Sequence, residues 1–186
     1  MNIFILGTGR SGTTALSKAC KFITNYTAGH ETNAGKLGNN RLEYSPWHIE
    51  SDNRLSWMLG RLYKKYGSDA IYVHLKRDPI LVQNSFLGRW VQPISLVRSF
   101  CSGILQISNY SKLDTRRAAT RDMIETIKSN IDVFFEGKCE LVEINIENIE
   151  EDFSQFWHQI KAEGDLDAAL LSFRQKENKS KWYNKL

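Results

Sequence analysis

The chain reads as an α/β protein, a three-layer sandwich with a mostly parallel central sheet. Three observations predict this. The apolar run Asn2–Ile3–Phe4–Ile5–Leu6 leads through a glycine-rich turn into a helix. A second apolar run, residues 70–75, leads through Lys76–Arg77–Asp78 into another helix that Pro79 opens. Beyond them, long helical stripes alternate with one more strand at residues 138–144. Strands separated by helices are the pattern of a parallel sheet covered on its faces. At 186 residues, the sequence fits one domain spanning 1–186, long enough to bury a core without staples.

The first strand runs into Gly7–Thr8–Gly9–Arg10–Ser11–Gly12–Thr13–Thr14. Glycines at 7, 9 and 12 permit positive φ and close approach of the backbone to a ligand. The helix starting near Thr13 points its unpaired N–H groups and positive dipole end into this turn. Such a nest suits an anion, most often a phosphate, and marks the fold as the P-loop nucleotide-binding type. The spacing of Gly7 and Gly12 matches a P-loop, but Thr13 stands where a nucleoside triphosphate enzyme needs lysine. The cation lies inside the loop instead, at Arg10, whose guanidinium can fork onto a phosphate or sulfate.

The first helix extends to about Phe22, with Leu16, Ala19, Cys20 and Ile23 at helical spacing. Residues 28–35 are polar and glycine-bearing and read as a loop; residues 33–54 read as part of an acceptor pocket. In that stretch Arg41 or Lys36 suits an acid group, and Tyr44 and Trp47 suit an apolar wall, although Trp47 equally suits the core. Leu55, Met58, Leu59 and Leu62 make an amphipathic helix that Gly67 stops. His74, within the second strand, reads as a core histidine. Helices are expected over 80–90, 93–107, about 115–136, 151–160 and 165–173. Arg116, Arg117 and Arg121 read as a solvated face.

Composition sets further bounds. With 41% hydrophobic and 25% charged residues, the chain is of ordinary soluble type. A net charge of +4 is too small to imply nucleic acid, yet it suits anionic ligands. The three cysteines, Cys20, Cys101 and Cys139, match neither a zinc site nor a disulfide framework and read as free thiols of a reducing compartment. No run approaches a membrane span, and the N-terminus has no basic leader, so a cytoplasmic protein without a membrane anchor is expected.

Taken together, GTGRSGTT after one strand and Arg77-x-Pro79 after another, with Ser85 eight residues beyond Arg77, resemble the sulfotransferase family. That family uses 3′-phosphoadenosine 5′-phosphosulfate (PAPS) as donor and releases 3′-phosphoadenosine 5′-phosphate (PAP). The resemblance covers residues 2–90 and only loosely the rest; arginine at position 10 is more like the tyrosylprotein and bacterial branches than the cytosolic branch. It implies that Gly9, Arg10, Ser11, Gly12, Thr13 and Thr14 hold the 5′-phosphosulfate, and that Arg77 and Ser85 hold the 3′-phosphate. It implies a late basic segment, here Lys179, Ser180 and Lys181, closing the donor site. Glu31 lies 21 residues beyond Arg10 in a Gly-x-Glu-Thr context, similar to the catalytic glutamate of the tyrosylprotein branch. A general base must lie within hydrogen-bond reach of the acceptor's proton. His30, adjacent to Glu31, is the second choice of base and is expected to point elsewhere. The expected reaction is sulfuryl transfer to a hydroxyl or amine without a metal; the acceptor is a carbohydrate, a peptide tyrosine, a lipid or a small metabolite. The alternatives are a small P-loop kinase and a non-catalytic nucleotide-binding module.

Overall fold

The computed structural model describes residues 1–92 and 94–174. Strand β1 (Ile3–Leu6) has all four side chains buried. It is followed by α1 (Thr13–Ala19), β2 (Thr27–His30), β3 (His48–Ser51), α2 (Leu59–Tyr66) and β4 (Ile71–Lys76). Then come α3 (Pro79–Leu87), α4 (Leu96–Ser99), α5 (Leu113–Phe135), β5 (Leu141–Asn145), α6 (Ile149–Gln159) and α7 (Leu166–Arg174). The five strands form one all-parallel sheet in the order β2-β3-β1-β4-β5.

Alternation along β1 feeds two cores. Ile3 and Ile5 pack with Leu16 and Cys20 of the α1 region, Phe153 and Phe156 of α6, and Ala169 of α7. Phe4 and Leu6 pack with Leu62 of α2, Val82 of α3, and Met123 and Ile127 of α5. Each fully buried side chain of this size contributes about 1.5–3 kcal/mol, so both faces of the sheet are strongly held. The fold is therefore a three-layer α/β sandwich, consistent with the P-loop type.

This layering positions the site. β1 sends the chain to α1 on one face, whereas its neighbours β3 and β4 send theirs to α2 and α3 on the other. The loops leaving the C-terminal ends of these strands diverge, which opens a crevice at the glycine loop.

Three sequence expectations change. Residues 28–35 and 33–54 contain β2 and β3 rather than continuous loop. Both strands are short, and β3 buries polar side chains: Glu50 and Ser51 are fully inaccessible. Apolar alternation is therefore missing, and hydrogen bonds replace it. Thr32 N–H donates to Glu50 Oε1 at 2.8 Å, and His48 Nε2 lies 2.9 Å from Glu50 Oε2. The helix expected over 93–107 begins only at Leu96, where Ser95 Oγ accepts from Arg98 N–H, and widens into a π-helical turn at Phe100–Ile104. Tyr44 belongs to the core, edge-on to Phe4, while Trp47 is 53% exposed and lies edge-on to Tyr26.

Other expectations hold. His74 is buried, its Nδ1 2.9 Å from Asp132 Oδ1. Pro79 opens α3 as expected, and Asp78 turns out to be its cap, its Oδ1 accepting from Ile80 and Leu81 N–H. The three cysteines are free, and burial pushes the Cys20 thiol up to about 12. Among the described residues, no helix is long and apolar enough to cross a membrane.

Burial pushes the Glu50 carboxyl up, but hydrogen bonds from His48 and Thr32 outweigh it and hold it below its ordinary value of 4.5. The folded state thus binds this proton more weakly than the unfolded chain. Its contribution is complete above pH 4.5 and is lost as the pH falls through the lowered folded value. Glu50→Ala is expected to cost about 2–3 kcal/mol at pH 7 in urea unfolding. The gap from wild type should narrow below pH 4.5; a constant gap would show that the carboxylate's charge contributes nothing.

Candidate functional site

The glycine loop is pinned on both sides. Ser56 Oγ accepts from Gly7 N–H and donates to Gly7 carbonyl, each at 3.0 Å. A side chain at Gly7 would place its Cβ 2.8 Å from the Leu75 carbonyl oxygen. Gly12 has φ 102°, and a Cβ there would lie 2.7 Å from Ile146 Cδ1, beyond β5. Gly9 and Arg10 also have positive φ, at 76° and 58°. Left-handed residues in such a turn favour a nest of N–H groups that suits an anion. Among the described residues no side chain caps α1, and the Ser11 hydroxyl is fully buried without a partner. Buried polar groups are normally satisfied, so an orphaned hydroxyl here leaves donor capacity for a ligand.

The two motifs seen in the sequence meet. Arg10 Nε donates to Ser85 Oγ at 3.0 Å across 75 residues, and Arg77 Nη1 donates to the Arg10 carbonyl at 2.8 Å across 67. Burial lowers the Arg10 pKa from its usual range, and the positive charges of Arg89 and Arg77 lower it further. Gathering guanidinium groups this way is unfavourable until an anion joins them. Arg89 was missed in the sequence. Its signal was its place four residues beyond Ser85, one helical turn on.

Beside the loop lies a cavity of about 160 Å³. Gly9, Arg10, Thr13 and Thr14 form its floor; His30, Glu31, Asn53 and Arg54 one wall; Phe86, Arg89 and Leu96 another. Whole-ligand pockets commonly hold about 300–1,000 Å³, so this space suits the reacting end of a ligand rather than all of a nucleotide. His30, expected to point away, points in: its Nε2 is 3.3 Å from both Thr13 Oγ1 and Thr14 Oγ1.

Glu31 sits at the end of β2 in a strained left-handed conformation, φ 53°. Its N–H still reaches the Ser51 carbonyl at 3.2 Å, so the strand pairing continues while the side chain is thrown over the cavity. Its Oε1 accepts from Asn53 Nδ2 at 3.2 Å and is ion-paired with Arg54. Strained non-glycine residues cluster at functional sites, and Arg10 and Glu31 are two of them.

A buried pair supports this wall. Arg41 and Asp52 are ion-paired with almost no exposure. Asp52 Oδ1 also accepts from Arg54 N–H at 2.8 Å and so caps the 3-10 turn Asn53–Trp57. Hence Arg41 holds no acceptor acid group; its charge is spent inside the protein. Lys36 is exposed. Lys179, Ser180 and Lys181 lie outside the described residues. Among the described residues, no group of three or more histidine, cysteine or acidic residues could hold a metal ion.

No protein-family model matches the chain, and no curated protein matches it. The fold and the site by themselves define a class: a parallel α/β protein with an arginine-ringed glycine loop at the C-terminal edge of its sheet.

Asp52→Ala strands the Arg41 guanidinium in the interior and is expected to cost about 3–5 kcal/mol in urea unfolding. The double variant Arg41→Met with Asp52→Leu should recover most of that loss. If the single variant is no less stable than wild type, the pair does not brace this wall.

Proposed function

We propose that the chain is a PAPS-dependent sulfotransferase acting on an acceptor hydroxyl or amine. The observation that carries the reading is the hydrogen-bonded union of Arg10, Arg77 and Ser85 beside a glycine loop whose buried Ser11 hydroxyl has no partner among the described residues. Gly9, Arg10, Ser11, Gly12, Thr13 and Thr14 would hold the phosphosulfate, and Arg77 and Ser85 the 3′-phosphate. The donor supplies an activated sulfuryl group. The acceptor–sulfur bond forms as the bond from sulfur to the phosphate oxygen breaks, and PAP leaves. Arg10 and the loop N–H groups stabilise the charge growing on that oxygen. Glu31 takes the acceptor proton through Oε2, which neither Arg54 nor Asn53 engages in their contacts. A cytoplasmic setting belongs to the proposal and accords with three free cysteines.

Two features weigh against the kinase alternative. Thr13 replaces the loop lysine, and Asp52, the acid just past β3 where P-loop enzymes keep a magnesium ligand, is committed to Arg41.

The decisive test is transfer of labelled sulfate from PAPS across a panel of sugars, peptides, lipids and small metabolites. PAP should raise the melting temperature more than AMP does; at a hundred times its dissociation constant, PAP's own stabilisation is about 2.7 kcal/mol. Equal shifts would remove Arg77 from 3′-phosphate recognition. PAP binding without transfer to any acceptor would leave a non-catalytic nucleotide-binding module.

Glu31→Gln should lower turnover by about 10²–10⁴ while PAP binding persists. Near-normal turnover would exclude Glu31 as the base. Arg10→Ala should weaken both PAP binding and turnover, and unchanged kinetics would take Arg10 out of the site.

A further inference from the structure

We propose that His30 is a positioning residue that aims the Thr13 and Thr14 hydroxyls at a bound tetrahedral oxyanion, and that it does so with its hydrogen on Nε2. The inference rests on the anion-binding half of the reading above and is independent of sulfuryl transfer itself.

His30 ends β2, in register with Ser51 of β3. These two neighbours grip the start of α1 from different atoms. Ser51 Oγ donates to the Thr13 carbonyl at 3.1 Å, while His30 Nε2 approaches the hydroxyls of Thr13 and Thr14. Both approaches measure 3.3 Å, at the long end of hydrogen bonding and equal. Such equal approaches accord with one N–H shared between two acceptors, one of the two arrangements the ring's tautomers allow.

A hydroxyl has one hydrogen and two lone pairs. To bind an anion's oxygen it must give its hydrogen to the anion and accept from something behind it. With hydrogen on Nε2, the imidazole donates to both threonine oxygens, and both hydroxyl hydrogens are free to turn into the cavity. With Nε2 bare, one threonine spends its hydrogen on the ring and turns lone pairs toward the anion. Oxyanion binding therefore selects the Nε2–H form. The tautomer sets whether α1 opens with two donors or fewer. The ligand class is a sulfate or phosphate oxygen, held beside Arg10 on the same cavity floor.

Two measurements test this on the intact protein. In nitrogen-15 NMR, the PAP complex should show His30 with hydrogen on Nε2; the tautomer with hydrogen on Nδ1 alone would overturn the proposal. In calorimetric titration with PAP, His30→Leu should weaken binding about ten- to hundredfold. His30→Gln, which restores an N–H donor, should stay within about threefold of wild type. In the Thr13→Val/Thr14→Val background, His30→Leu should cost little more, because no hydroxyls remain to orient. Equal losses from Leu and Gln, or a His30→Leu loss undiminished without the hydroxyls, would reduce His30 to a structural role. A wild type that binds PAP in this pattern yet transfers nothing retains this inference and loses the sulfotransferase reading. A wild type that binds neither PAP nor inorganic phosphate overturns both.

Discussion

The Arg77 guanidinium donates to the Arg10 carbonyl, and the Arg10 guanidinium donates to Ser85. These two hydrogen bonds tie the loop after β1 to the turn and helix after β4, and the rest of the site is arranged around that tie. It has an electrostatic cost. Burial first, and then the charges of Arg89 and Arg77, lower the pKa of Arg10. A domain whose net stability is of order 5–15 kcal/mol tolerates such a cost only because two cores hold the loop's frame. An anion at the loop would turn the same repulsion into attraction.

Behind the cations stands a layer of buried polar groups, and each has a specific task. Ser51 holds the backbone of Thr13, Glu50 holds Thr32 and His48, and Asp52 holds Arg41 and the N–H of Arg54. Three consecutive residues at the end of β3 thus set the three elements that meet at the cavity. The cost of burying these groups is offset by complete hydrogen bonding, and a half-satisfied version would loosen the whole wall. His30 and Glu31 inherit their positions from this arrangement, one aimed at the threonine hydroxyls and the other drawn over the cavity by Asn53 and Arg54.

Much of the frame was legible in the amino-acid order. β1, β4 and the helices that carry the two cores announce themselves by apolar runs and three-four spacing, because burial of nonpolar surface drives them locally. The glycines at 7, 9 and 12 and the Pro79 helix start were legible for a related reason: each answers a backbone requirement of its own position. β2 and β3 were not legible. Thr27–His30 is a short edge strand with no buried residue, and His48–Ser51 buries Glu50 and Ser51, whose burial depends on partners elsewhere in the chain that no local period records. The same reason hid the start of α4, which rests on a serine cap rather than on the apolar stripe.

By itself, then, the sequence determined a parallel α/β layering, a glycine loop after the first strand, and two cationic motifs at strand ends. Those features follow from short-range rules of packing and backbone geometry. Only the tertiary structure decided that Arg10, Arg77 and Ser85 touch, that Arg41 is spent on Asp52, and that His30 faces the threonines while Glu31 is shared with Arg54 and Asn53. Those outcomes depend on which strands lie side by side, and strand order is set by the competition of whole layers for burial, which no single stretch of sequence contains.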